Sequence, residues 1–201
     1  MLFRSFDKLA ASPGTDPVAR QIGNYYGSCM DEAAIEKAGT KPIQPLLATI
    51  AKVKDAKSLS AAVTQLHVAG FGVLFAMGPT QDSIDATKVI IGMDQGGLGL
   101  PDRDYYLKDD DQSKGLKAAY EGYVASMLVE VGHKPEVAKA EAAAVVGLET
   151  ELAKVSKDKV ARRDPKGMYN RIEKAGVAKA APSFDWTGYW KTLGLAADGE
   201  R

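Results

Sequence analysis

One stretch, from Phe71 to Met93, breaks a spacing that is otherwise helical along nearly the whole chain. Phe71-Gly72-Val73-Leu74-Phe75-Ala76-Met77 and Lys88-Val89-Ile90-Ile91-Gly92-Met93 are short apolar runs separated by Gly78-Pro79 and polar residues. Such runs predict two strands, about Val73 to Met77 and Lys88 to Met93, paired antiparallel. Around them apolar residues recur at offsets of three and four. The fold class that follows is mainly α, a multi-helix domain carrying one small antiparallel β-hairpin.

The helical segments can be placed from their stop and start signals. Asp16-Pro17 reads as an N-cap followed by proline at the first helical position, opening a helix from Val18 to Lys37 that Gly39 ends. Pro42 to Val53 supports a short helix, and Ser58 to Ala69 another, capped by Ser58 or Ser60. Glycines and Pro101 from Gly96 onward break the pattern, and Lys108 to Lys114 reads as a solvated charged turn. Two longer helices follow, Gln112 to Val131 and Pro135 to Ser156, joined at Gly132-His133-Lys134. After Lys157 the chain is irregular around Arg162-Arg163-Asp164-Pro165, with a short helix near Met168 to Lys174. The aromatic segment Phe184 to Trp190 then runs into Leu195-Ala196-Ala197-Asp198-Gly199-Glu200-Arg201, where no closing element is evident.

Composition removes several function classes. Lys plus Arg number 26 and Asp plus Glu number 26, so no whole-chain field favours nucleic acid or an anionic membrane. The single cysteine, Cys29, excludes an internal disulfide and a cysteine-cluster zinc site, and reads as a small buried hydrophobe. The opening seven residues hold no secretory apolar run, and no later stretch approaches the ~20 apolar residues of a membrane span.

Chemistry intrinsic to these residues is hard to assemble. His67 and His133 are the only imidazoles, and neither lies in a His-Glu-x-x-His arrangement, which would set two ligands on one helical face. Gly96-Gly97-Leu98-Gly99-Leu100-Pro101 lacks the lysine of a phosphate loop, and Asp102 and Asp104 would repel phosphate. Asp102-Arg103-Asp104-Tyr105-Tyr106 reads as local ion pairing and aromatic packing. Glu121, Glu149 and Glu151 read as solvated helix carboxylates with no partner for acid/base work. Ser28-Cys29 has no histidine nearby to act as a base.

Taken together, four ordered blocks carry a family resemblance. Asp94-Gln95-Gly96-Gly97-Leu98-Gly99-Leu100-Pro101-Asp102-Arg103-Asp104-Tyr105-Tyr106 closely resembles the Leu-Gly-Leu-Pro-x-Arg-Asp-Tyr-Tyr segment of neprilysin-type zinc endopeptidases. Upstream, Tyr25-Tyr26-Gly27-Ser28-Cys29-Met30-Asp31-Glu32-Ala33-Ala34-Ile35 is similar to the family's Tyr-x-Ser-Cys-x-(Asn/Asp)-Glu-x-x-Ile helix. Downstream, Leu148-Glu149-Thr150-Glu151-Leu152-Ala153 resembles Leu-Glu-x-Glu-(Ile/Leu)-Ala. Arg163-Asp164-Pro165 with Met168-Tyr169-Asn170-Arg171-Ile172 resembles Arg-Asp-Pro-x-x-x-Tyr-Asn.

The resemblance implies that residues 1–201 are part of the amino-terminal helical domain of a two-lobed zinc endopeptidase that hydrolyses short peptides in a closed cavity. In such enzymes the carboxy-terminal lobe carries His-Glu-x-x-His, a third glutamate ligand and the catalytic glutamate; the amino-terminal lobe covers the cavity and limits substrate size. The implied partners are that catalytic lobe and, for the complete enzyme, small peptides. The implied cofactor is zinc, held outside these residues, and the implied location is extracytoplasmic. No catalytic or metal-ligating residue is expected here. The residues carried over are structural: Gly97, Leu98, Gly99, Leu100, Pro101, Arg103, Asp104, Tyr105, Tyr106, Arg163, Asp164, Pro165, Tyr169 and Asn170.

The sequence departs from the pattern at its start, where the family's acidic-aromatic opening and Gly-Gly-Trp element are missing. Ser5-Phe6-Asp7-Lys8-Leu9 resembles the following Phe-Asp-x-Leu, but Ala10 stands where some relatives place a substrate-facing arginine. The competing reading is a free-standing helical interaction module derived from the same domain. A chain cut from its catalytic lobe should also expose apolar surface, with Phe184 to Trp190, Leu193 and Leu195 the expected patch.

Overall fold

The computed structural model describes residues 2–195, and its side chains from Ser5 onward. The six residues that follow Leu195, where the sequence shows no closing element, lie outside that description. The chain divides into two units, Met1–Pro45 and Leu46–Arg201.

In the first unit α1 (Leu2–Ala11) and α2 (Pro17–Met30) form a helical hairpin. Asp16 caps α2 through Val18 N at 3.0 Å, with Pro17 in the first turn where its missing N–H costs nothing. The two helices touch at backbone distance: a Cβ on Gly23 would lie 2.2 Å from the Leu9 carbonyl oxygen. Tyr26 donates to Asp7 Oδ1 at 2.9 Å and stacks on Phe6. The single helix expected from Val18 to Lys37 is in fact two. At Asp31 the backbone leaves helical geometry (φ −82°, ψ 75°) and the Asp31 carboxylate caps α3 (Glu32–Ala38) through Ala34 N. Gly39, at φ 53°, terminates α3 as its sequence predicts. Cys29 is exposed rather than buried.

A 3-10 turn (Lys41–Ile43) and α4 (Gln44–Ile50) come next, then α5 (Ala56–Val68). The cap of α5 is Asp55, not Ser58 or Ser60. Asp55 accepts from Ser58 N at 2.7 Å while Ser58 Oγ accepts from Asp55 N at 3.0 Å, a reciprocal capping box. Ser60 lies inside the helix and its hydroxyl accepts from Asp185 N, far along the chain.

The hairpin pairs β1 (Phe75–Gln81) with β2 (Val89–Gln95), antiparallel, in the register Met77 opposite Met93 and Pro79 opposite Ile91. Gly78-Pro79 therefore lies inside β1 instead of ending it. A two-stranded sheet has only edge strands, so a proline there can turn its N-free side outward and leave the ladder intact. The connection runs through Asp82, whose backbone N–H donates to the Lys88 carbonyl at 2.9 Å.

Past the glycine-rich loop come the one-turn helix α6 (Asp104–Leu107), α7 (Asp111–Glu130) and α8 (Pro135–Val155), the last two joined at Gly132-His133-Lys134 as predicted and packed against each other. A second 3-10 turn (Ala161–Arg163) precedes α9 (Pro165–Met168), α10 (Lys174–Ala180) and α11 (Trp186–Thr192). No helix spans Met168 to Lys174; Tyr169 leaves helical geometry because its side chain is drawn to the hairpin, as described below.

The aromatic segment on α11 forms the core of this unit and is not an exposed patch. Trp186, Tyr189 and Trp190 are buried against Phe75, Met77, Val177 and Phe184. Rings of this size bury enough area to contribute roughly 4–6 kcal/mol of transfer free energy each, an upper bound. That term holds in place a seven-residue helix that would not persist alone.

Candidate functional site

The residues singled out by the sequence converge on the region between the hairpin and the carboxy-terminal end of α8. Gly97 has φ 81°, and a Cβ there would press within 3.1 Å of both Leu152 Cδ1 and Leu74 Cα. Leu74 itself is at φ 63°, so two left-handed positions meet where the loop leaves the sheet. Gly99 leaves no room at all: its Cβ would fall 1.9 Å from the Tyr120 hydroxyl.

Beneath that loop sits a buried carboxylate. Tyr106 donates to Glu149 Oε2 at 2.5 Å and Tyr120 donates to Oε1 at 3.0 Å; the Tyr106 oxygen also accepts from Leu100 N at 2.8 Å. Glu149 is thus not solvated as its helix position suggests. The burial and the adjacent carboxylate push the Tyr106 hydroxyl far above its ordinary 10.0, and the same two causes raise Tyr120 to about 12. One signal for this was available: Glu149 stands three residues after Val146 and seven after Ala142, on the face of α8 that those small side chains bury.

Arg103 reaches across to α8 and donates to the Ser156 carbonyl at 2.6 Å, an acceptor left over at the helix end. Asp104 opens α6 and faces Lys108 at 3.2 Å and Lys159 at 3.8 Å. Tyr105 is half-buried. Leu98, Leu100 and Pro101 line a shallow cleft of about 170 Å³ with Gln95, Lys159 and Arg162.

The second motif block folds along the hairpin. Gln95 pairs twice with the Lys157 backbone, accepting at 2.8 Å and donating at 3.0 Å. Arg162 holds Asp94 at 2.6 Å. Arg163 is exposed within the 3-10 turn, Asp164 caps α9 through Lys166 N, and Pro165 occupies its first turn. Asn170 donates to the Gly167 carbonyl at 3.3 Å. Tyr169 donates to both oxygens of Asp82, at 3.0 and 3.2 Å, and so pins this segment to the hairpin turn. Asp82 is 1 % exposed, and the N–H of Ile84, with Tyr169 and Arg171 adding to it, holds its carboxyl below the ordinary 3.8. Nothing local in the sequence marks Asp82, because its partner lies 87 residues away.

What this arrangement can do chemically is bounded by its own pairings. Of the cleft's cations, Lys159 faces Asp102 and Asp104, Arg162 faces Asp94, and Lys157 donates to the Gly167 carbonyl at 2.6 Å. Neither imidazole is placed to hold a metal: His67 contacts Tyr189 Oη through Nδ1 at 2.6 Å and the Val73 carbonyl through Nε2 at 2.9 Å, while His133 Nδ1 is 2.5 Å from Glu141. A carbonyl only accepts, so Nε2 carries the proton and Nδ1 receives the Tyr189 hydroxyl. Among the described residues no group of three His, Cys, Asp or Glu side chains is gathered as a metal site, and no helix is long and apolar enough to cross a membrane. Zinc does not fit the described residues.

Comparison with known proteins agrees with this architecture. The sequence profile described as peptidase family M13 matches residues 3–200. An endothelin-converting enzyme homolog of Locusta migratoria is 33 % identical over 85 % of this chain, and neprilysin-3 of Drosophila melanogaster is 30 % identical over 94 %. In each case the match spans 25 % of the relative's length. The Mycobacterium tuberculosis zinc metalloprotease Zmp1 in its open state superposes with a TM-score of 0.83 at 36 % identity, over 96 % of this chain and 30 % of its own.

Proposed function

We propose, from the premise that this chain belongs to peptidase family M13, that it forms the amino-terminal, substrate-access portion of a neprilysin-like zinc metalloendopeptidase. The observation that carries this is the superposition on Zmp1, in which nearly all of this chain accounts for 30 % of a zinc metalloprotease. Peptide hydrolysis then belongs to the complete enzyme, with zinc and the catalytic glutamate supplied by the remaining polypeptide. Residues 1–201 alone are inactive. Their role is to enclose: a zinc-polarised water reacts productively in a partly desolvated space, and rigid helices can wall that space off.

The motif residues of the Gly-Leu-Pro and Arg-Asp-Pro blocks act in this reading as braces that keep the helical layer stiff. Small peptides are the substrates of the complete enzyme, which works outside the cytoplasm.

The test is to read the transcript across codon 201 and to assay what it encodes. A frame continuing into His-Glu-x-x-His, whose product cleaves a fluorogenic peptide in a chelator-sensitive manner while residues 1–201 do not, is the expected result. A stop codon after Arg201 with a stable, monodisperse product would overturn the proposal in favour of a free-standing module.

A further inference from the structure

Helix α7 presents to solvent a face on which a self-contained domain would place charge. Leu116, Ala119, Gly122, Tyr123, Ser126 and Met127 are all exposed, Tyr123 at 59 % and Met127 at 43 %. They recur at three- and four-residue offsets over three turns. Of the charges on α7, Lys114, Lys117 and Glu121 fall within about 60° of one another on the opposite side, while Asp111 and Glu130 stand at its two ends, Glu130 one turn beyond the face. A surface helix normally shows the reverse distribution, apolar inward and charged outward.

The glycines on this face have no explanation among the described residues. A Cβ at Gly115 or at Gly122 would meet nothing within 4 Å. Mid-helix glycine weakens a helix relative to alanine, and among the described residues no neighbour requires the missing side chain. Small residues let a second helix approach closely, with the larger side chains as flanking ridges.

Some 70 % of the polypeptide present in Zmp1 has no counterpart here, since the match spans 30 % of it.

We infer that the Leu116–Met127 face of α7 is the docking surface for a helix from the remaining polypeptide of the same enzyme. The inference rests on the function proposed above. It adds which face is covered and by what.

The experiment compares residues 1–201 with the full-length polypeptide, both carrying Cys29→Ser and one introduced thiol, from Ala119→Cys or, as reference, from Val160→Cys, at a site 72 % exposed. Maleimide should react equally fast at both positions in residues 1–201, and at least tenfold more slowly at 119 than at 160 in the full-length protein. Gly122→Leu should lower the melting temperature of the full-length protein by several degrees while leaving that of residues 1–201 unchanged or higher. A full-length enzyme that cleaves peptides, yet labels at 119 as fast as at 160 and tolerates Gly122→Leu, overturns this inference alone. Protection at 119 already present in a dimer of residues 1–201 assigns the face to a second copy and overturns the occupant named here. A transcript that stops at codon 201 overturns both this inference and the proposed function.

Discussion

Tyr106 and Glu149, 43 residues apart, are joined by a 2.5 Å hydrogen bond that closes the Gly-Leu-Pro loop onto α8. The tyrosine oxygen also accepts from Leu100 N, so one side chain satisfies a buried carboxylate and a loop N–H together. Tyr106→Phe takes the donor from Glu149 Oε2 and the acceptor from Leu100 N, leaving Tyr120 on Oε1, and is expected to destabilise the chain by about 1–3 kcal/mol. Urea unfolding measures it. In a double-mutant cycle with Glu149→Gln the two losses should fail to add, because the residues share one network; simple additivity would show that the contact carries no coupling.

Gly99→Ala is expected to be among the most damaging glycine substitutions, since its Cβ would lie 1.9 Å from the Tyr120 hydroxyl and displace it from Glu149. Overpacking of this kind costs about 1–3 kcal/mol. Gly147→Ala, on α8 with nothing within 4 Å, should instead be neutral or stabilising. Thermal melts of the two variants decide it; equal melting temperatures would refute the steric argument.

Alkaline pH should unfold the chain through its buried tyrosines. Tyr120 and Tyr189 are raised from 10.0 to about 12, both mainly by burial. Above pH 10 the unfolded chain binds fewer protons at these groups than the folded one, so the stability they contribute is complete below pH 10 and is lost as pH rises towards 12. Denaturant midpoints taken from pH 8 to 12 should fall over that window, and Tyr189→Phe should flatten the decline.

Acid acts through Asp82. Its carboxyl is held below 3.8 first by the Ile84 N–H and then by Tyr169, so its contribution is present above pH 3.8 and is lost as pH falls further. Asp82→Asn should be less stable than the parent at pH 7 and should lose less on acidification below pH 4. A parallel pH dependence of the two proteins would remove Asp82 from the account.

Zinc titrated calorimetrically into residues 1–201 is expected to give no stoichiometric uptake, because a metal at His67 must displace the Tyr189 hydroxyl or the Val73 carbonyl. Sub-micromolar affinity would contradict this.

What the sequence determined by itself is whatever depends on neighbours within a few residues. The long helices α7 and α8, the helix stop at Gly39, the N-cap at Asp16 and the antiparallel pair around residues 75–95 all rest on local periodicity and capping. The family, too, was legible, because the Gly-Leu-Pro and Arg-Asp-Pro blocks are contiguous. The tertiary structure alone decided the rest. Gly78-Pro79 entered a strand because both strands are edges, and the helix after Met30 broke because Asp31 caps the next one. Glu149 and Asp82 were buried by tyrosines that arrive from 43 and 87 residues away. The aromatics of α11, expected at the surface, became the core once β1 supplied Phe75 and Met77. The physical reason is common to all of these: desolvating a side chain is tolerated only when its partner is in place, and a partner distant in sequence leaves no periodic trace near the residue that it covers.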